Sequence, residues 1–103
     1  GGLASDGTRV ISERTSNSVV AIMATCGMYD ESGIHLVRTG MPAKSGVSGV
    51  IVAVATGRGG VAVCSPRLNE KGGSVRGHQI LVHVCREFGW HFAAPWEYMR
   101  LQE

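Results

Sequence analysis

The chain has 103 residues, 44% of them hydrophobic, and a net charge of +2 at neutral pH. That length allows one domain at most, with a modest core. The small positive charge forms no basic run, which argues against nucleic acid as a partner. The longest apolar run, around Val50 to Ala55, is far too short to span a bilayer.

The chain starts Gly1-Gly2-Leu3 without an initiator methionine and without a secretory signal, so it reads as a fragment, a processed chain or an excised domain. Ser5-Asp6-Gly7-Thr8 is a turn cluster. Ser12 then suits an N-cap, Glu13 lies in the first turn, and Val19, Val20, Ile22, Met23 and Cys26 form an apolar stripe. Gly27 stops the element, which predicts a helix over roughly 13–26. Ile34 to Thr39 alternates and predicts a strand, with Met28-Tyr29 as a short strand before it. Val50 to Ala55 reads as a buried strand, Gly57-Arg58-Gly59-Gly60 as a hairpin turn, and Val61 to Cys64 as its partner. A loop runs from Ser65 to Gly73. Ser74 then caps a helix over about 75–88, with Ile80, Leu81, Val84, Cys85 and Phe88 on its apolar side and Gly89 as its stop. Residues 90–103, with Trp90, Phe92, Trp96 and Tyr98, form an aromatic C-terminal tail beyond a domain of residues 1–89.

This order predicts an α+β fold, an antiparallel three-stranded meander flanked by helices. Such a sheet has two open edges, and the second helix is apolar around most of its circumference. Both point to a missing companion, either the rest of a larger domain or another chain. Fifteen glycines, about twice the usual share, predict many turns and close backbone approaches. Cys26, Cys64 and Cys85 are widely spaced and form no CxxC, so they read as reduced thiols buried like small hydrophobes, in a cytoplasmic setting. His78 and His83 are five apart and do not share a helical face, and His35 would point outward on its strand, so no metal site is expected.

The chemistry-bearing residues are concentrated in two segments. Cys26-Gly27-Met28-Tyr29-Asp30 offers a phenol at the end of a helix. Fourteen residues after Asp30, Lys44-Ser45-Gly46-Val47 offers an ammonium, a hydroxyl and a loosened backbone where a strand begins. Taken alone, Lys44 reads as a solvated surface charge and Tyr29 as a packed tyrosine with a satisfied hydroxyl. Together they are parts of an acyl-transfer site.

Four segments in order, Cys26 to Asp30, Gly40 to Val47, Ser65 to Asn69 and Gly73 to Gly77, resemble motifs of the serine-dependent glutaminases. The resemblance runs from Gly1 to about Phe88. It implies the C-terminal part of a serine β-lactamase/transpeptidase-like fold. It also implies hydrolysis of L-glutamine to L-glutamate and ammonia through an acyl-serine intermediate, with no metal or organic cofactor and with a homo-oligomer as the assembled enzyme. By that resemblance Tyr29 helps move the nucleophile's proton, and Val47 lends its backbone amide to the oxyanion hole. Lys44, Ser45 and Gly46 line the pocket edge and, with Tyr29 and Val47, bind substrate. A phenol beside a lysine ammonium can exchange a proton with a serine, and an oxyanion amide needs fixed geometry rather than a particular side chain. Ser48-Gly49-Val50, Arg67 and Gly73 depart from the family pattern, in changes that affect loops more than chemistry.

The family's nucleophile, the serine of a Ser-x-x-Lys motif, is absent. The two lysines, Lys44 and Lys71, follow Met41 and Leu68 at that spacing. Ser45 has no base at suitable spacing, and Cys26 is expected to face a core. The chain alone is therefore expected to be inactive and to need the N-terminal portion of its domain. The alternative is a non-catalytic module that self-associates or binds glutaminase chains. A β-lactamase or transpeptidase relative would account for Lys44-Ser45-Gly46 but not for Gly27-Met28-Tyr29-Asp30.

Overall fold

The computed structural model describes residues 1–93. Helix α1 (Glu13–Cys26) begins as expected, with the Ser12 hydroxyl accepting the Thr15 N–H. A single 3-10 turn (Tyr29–Glu31) leads into helix α2 (Ser32–Thr39). Strands β1 (Ala43–Ser45), β2 (Val50–Ala55) and β3 (Gly59–Cys64) follow, and then helix α3 (Val75–Phe88). The Ser74 hydroxyl caps α3 by accepting the Gly77 N–H, and Gly89 ends it at φ 64°.

The α+β reading and the antiparallel three-stranded meander hold, in the order β1-β2-β3. Lys44 pairs with Val52, and Val52 with Ala62. The first strand is a different segment from the expected one. Ile34 to Thr39 lies in α2, and Met28-Tyr29 leads into the 3-10 turn rather than forming a strand. The reason is visible in what α2 buries. Ser32, His35 and Thr39, spaced three and four apart, are its buried residues, whereas Ile34 and Val37 are exposed. The packed stripe is polar, so hydrophobic alternation pointed to the wrong period.

The hairpin turn also shifts. Gly59 and Gly60 already pair with Ala55 and Val54, which leaves Thr56 to Arg58 as the connection, with Gly57 at φ 75°. The core lies on one sheet face, where Ala43, Ile51, Ala53 and Ala55 meet Leu81 and Cys85 of α3 together with Met28 and Met41. The small alanines let the helix approach closely. The β1 edge is partly closed by the chain leaving α1, because the Ser45 N–H donates to the Gly27 carbonyl at 3.0 Å.

Helix α1 departs from expectation in its packing. None of its residues is buried, and Ile22 on the apolar stripe is 60% exposed. Cys26, expected to face a core, is exposed, and so is Cys64; only Cys85 is buried. The apolar stripe exists as read but is only partly covered, with Val20 and Met23 half-buried and Val19 and Ile22 exposed. The aromatic tail is described only through Trp90 to Ala93. There the Phe92 N–H donates to the Gly40 carbonyl and His91 Nε2 bonds the Val37 carbonyl, returning the chain to the end of α2. Trp96 and Tyr98 lie outside the described residues. Among the described residues no helix is long and apolar enough to cross a membrane.

Candidate active site

The four motif segments converge on one region, and Gly27 is where the convergence starts. It caps α1 in a right-handed conformation, φ −76°, so its backbone does not require glycine. Its surroundings do, since a Cβ there would sit 1.8 Å from the Ala43 carbonyl oxygen. Only a bare α-carbon lets β1 pass this close. The first motif is thereby laid alongside Ala43-Lys44-Ser45.

Tyr29 follows at φ 51°, the one non-glycine residue in the left-handed region among those described. Such a conformation costs on the order of 1–2 kcal/mol and persists only where neighbours enforce it. Ser32 is one enforcer. Its buried hydroxyl accepts the Met28 N–H at 2.9 Å and donates to the Tyr29 carbonyl at 2.8 Å. The phenol ring is half-exposed, and the Lys44 ammonium stands 4.6 Å from its centre. Lys44 Nζ also donates to the Ser45 carbonyl. The structure therefore joins the phenol and the ammonium that the sequence placed fifteen residues apart.

Ser45 points the other way. Its side chain is buried on the inner sheet face, and its hydroxyl meets no hydrogen-bond partner among the described residues. Gly46 and Val47 enter the turn between β1 and β2, closed by the Gly49 N–H donating to the Gly46 carbonyl at 3.0 Å. Gly49 has φ 95°, and a Cβ on it would strike Pro66 at 2.4 Å. The third motif is thus seated on the second, with the Ser65 N–H donating to the Gly49 carbonyl at 2.9 Å. Val47 is 72% exposed at the turn, and its N–H makes no hydrogen bond among the described residues.

The third and fourth motifs close the ring. The Ser74 hydroxyl donates to the Ser65 carbonyl at 2.8 Å, and Asn69 reaches back to Glu31, next to the first motif, at 2.6 Å.

Beneath this region sits a pair that sequence reasoning missed. His35, expected to point outward, is buried, with Nδ1 3.1 Å from Nδ1 of His78 and Nε2 3.1 Å from the Thr39 hydroxyl. Burial first, and the neighbouring His78 second, lower the His35 pKa to about 4. Burial, with the Arg38 charge adding to it and Glu31 opposing, lowers that of His78 as well. Both imidazoles are therefore neutral near pH 7, a polar pin between α2 and α3. The available signal was the Ser32, His35, Thr39 spacing, which fits a helix. Burial likewise raises the Cys85 thiol to about 11, so it is inert in the core.

Comparison with known proteins gives one answer throughout. A glutaminase of Legionella pneumophila (strain Corby) is 54% identical over 89 residues, covering 86% of this chain and 29% of that protein. One of Microcystis aeruginosa is 47% identical over 85 residues, covering 82% of this chain and 25% of that protein. Among solved structures, Mglu in its glutamate form superposes with a TM-score of 0.85 at 38% identity, covering 90% of this chain and 22% of that one. A Bacillus subtilis glutaminase does so at 0.78 and 33% identity, covering 84% of this chain and 32% of that one. The fold is therefore the C-terminal part of the β-lactamase-like architecture. The glutaminase family model matches residues 1–92, and the chain belongs to that family. It spans less than a third of the length of these curated relatives.

Proposed function

We propose that this chain supplies the C-terminal wall of a glutaminase active site that hydrolyses L-glutamine to L-glutamate and ammonia through an acyl-serine. The serine and its lysine base would come from a Ser-x-x-Lys in the N-terminal portion of the domain. Tyr29 would relay the proton between the serine hydroxyl and the leaving amine. The Val47 N–H would donate to the oxyanion as the tetrahedral intermediate forms, and Lys44, Ser45 and Gly46 would shape the substrate-facing edge. No step assigned to these residues requires a metal or an organic cofactor.

The observation that carries the reading is the Tyr29 ring held at φ 51° with the Lys44 ammonium 4.6 Å from its centre. Backbone strain at a tyrosine beside a fixed cation supports a functional role over plain packing. The relatives support the substrate. Mglu has been solved in a glutamate form, and the Bacillus subtilis glutaminase forms a covalent complex with 5-oxo-L-norleucine by reaction with 6-diazo-5-oxo-L-norleucine. The exposed apolar stripe of α1, with Val19 and Ile22, fits burial by the remainder of the domain or by further copies in a homo-oligomer. The exposed thiols of Cys26 and Cys64 suit a reducing, cytoplasmic compartment.

The test is glutamate release from L-glutamine by this chain alone and after mixing with the upstream portion carrying a Ser-x-x-Lys. Activity only in the mixture is expected, with Tyr29→Phe removing most of the rate. Activity of the chain alone would overturn the assignment of the nucleophile to another segment. Silence in both, from folded protein, would favour a non-catalytic interaction module.

A further inference from the structure

The 3-10 turn that carries Tyr29 is braced from outside by one asparagine. Asn69 makes three of the four hydrogen bonds open to its side-chain amide. Its Oδ1 accepts the Lys71 N–H at 2.9 Å and the Gly73 N–H at 3.0 Å, while its Nδ2 donates to Glu31 Oε1 at 2.6 Å. The orientation of the amide follows from these partners, since two N–H groups face the oxygen and a carboxylate faces the nitrogen. The backbone adds two bonds, Asn69 N–H to the Gly73 carbonyl at 2.8 Å and Gly72 N–H to the Asn69 carbonyl at 3.1 Å.

The consequence is a tight loop, 69–73, with fixed placement against the turn. Gly72, at φ 84°, is its contact point. A Cβ on Gly72 would lie 3.7 Å from Cε2 and 3.8 Å from Cδ2 of Tyr29. The ring edge therefore rests beside Gly72 while the Lys44 ammonium stands over the ring. Ser32 fixes the tyrosine's backbone, and Lys44 and the loop bound its ring. Without the Asn69–Glu31 bond, no other side-chain hydrogen bond among the described residues ties this loop to the turn.

We propose that Asn69 is a positioning residue for the Tyr29 phenol, acting through Glu31 and through the loop that sets Gly72 against the ring. This rests on the reading of Tyr29 as the proton carrier. A phenol displaced by a fraction of an ångström from the serine hydroxyl loses rate without losing substrate, so the effect belongs in kcat rather than KM.

The experiment uses the complete enzyme carrying this chain, assayed for glutamate release from L-glutamine. Asn69→Asp keeps the Oδ1 bonds within the loop but replaces the donor facing Glu31 with a second acceptor. It is expected to lower kcat about tenfold with KM within about twofold. Adding Glu31→Gln restores a donor opposite an acceptor with the polarity reversed, and should recover most of the loss. In the Tyr29→Phe enzyme, Asn69→Asp should cost nothing further, because the group being positioned is gone. Equal losses in both backgrounds would overturn the proposal and leave Asn69 a general loop fastener. An unchanged kcat for folded Asn69→Asp, beside a slow Tyr29→Phe, would also overturn it while the reading of Tyr29 stood. An unchanged Tyr29→Phe would sink that reading and the proposal with it. Should Asn69→Asp fail to fold, Glu31→Leu cuts the same bond from the other side and is judged by the same comparisons.

Discussion

The Lys44 ammonium lies 4.6 Å from the centre of the Tyr29 ring, although the two residues belong to different elements. At an exposed position such a contact contributes about 0.5–1 kcal/mol, so its importance lies in chemistry more than in stability. The charge over the ring face holds the ring in place. Lys44→Met, which keeps the length and removes the charge, should lower kcat of the complete enzyme by about tenfold or more. Lys44→Arg should retain more activity than Lys44→Met. Steady-state kinetics on L-glutamine decides this, and equal rates for the two variants would show that the charge is irrelevant.

The Val47 amide can be removed without disturbing its turn. Val47 is the second residue of a turn in which neither it nor Ser48 has positive φ, and proline is favoured at that place. Gly46 before it tolerates the restriction a following proline imposes. Val47→Pro should therefore fold yet lose about 10²–10³ in kcat, the usual cost of one oxyanion donor. Val47→Ala, which keeps the N–H, should stay within a few-fold of the parent. A fully active Val47→Pro enzyme would exclude this amide from the oxyanion hole.

Legibility in the sequence followed chemistry at each position. Helices α1 and α3 were readable to the residue because Ser12, Gly27, Ser74 and Gly89 mark their ends. The β2–β3 pair was readable from its apolar runs and glycines. Helix α2 was not, because its buried side chains, Ser32, His35 and Thr39, are polar and its apolar ones face outward. Tyr29 and Lys44 were legible as motif residues, but their contact depends on Gly27 admitting β1, a tertiary fact. The roles of Asn69 and Ser32 are invisible locally, since each acts through a bond that only the folded chain makes. The packing of α1 could not be read either, because its apolar stripe is only partly covered within the described residues.

Gly27 should be irreplaceable for a reason unrelated to backbone freedom. A methyl group there would meet two backbone carbonyl oxygens, Ala43 at 1.8 Å and Met23 at 2.6 Å, neither of which can swing aside. Strand β1 would have to move away from α1. Gly27→Ala should destabilise the chain by about 2–4 kcal/mol, the range of severe overpacking. Gly33→Ala is the control. It lies in α2 with nothing within 4 Å of the added carbon, and should be neutral or stabilising by about 0.5–1 kcal/mol. Urea unfolding of both variants separates the two cases, and a stable Gly27→Ala chain would contradict the close approach of β1.

The buried His35–His78 pair ties stability to pH. In the folded chain His35 resists protonation down to about 4, against 6.5 when unfolded, and His78 is displaced in the same direction. Between those values the unfolded state binds more protons, so folding stability rises with pH. The contribution of His35 is complete above about 6.5 and is lost progressively as the pH falls towards about 4. With allowance for screening by solvent it amounts to on the order of 2 kcal/mol. Equilibrium urea unfolding across that range should show the midpoint falling with acid. His35→Gln should lower the plateau near neutrality, through loss of the bonds to His78 and Thr39, and flatten the slope without abolishing it, because His78 still titrates. A slope unchanged by His35→Gln would mean that acid acts elsewhere in the molecule.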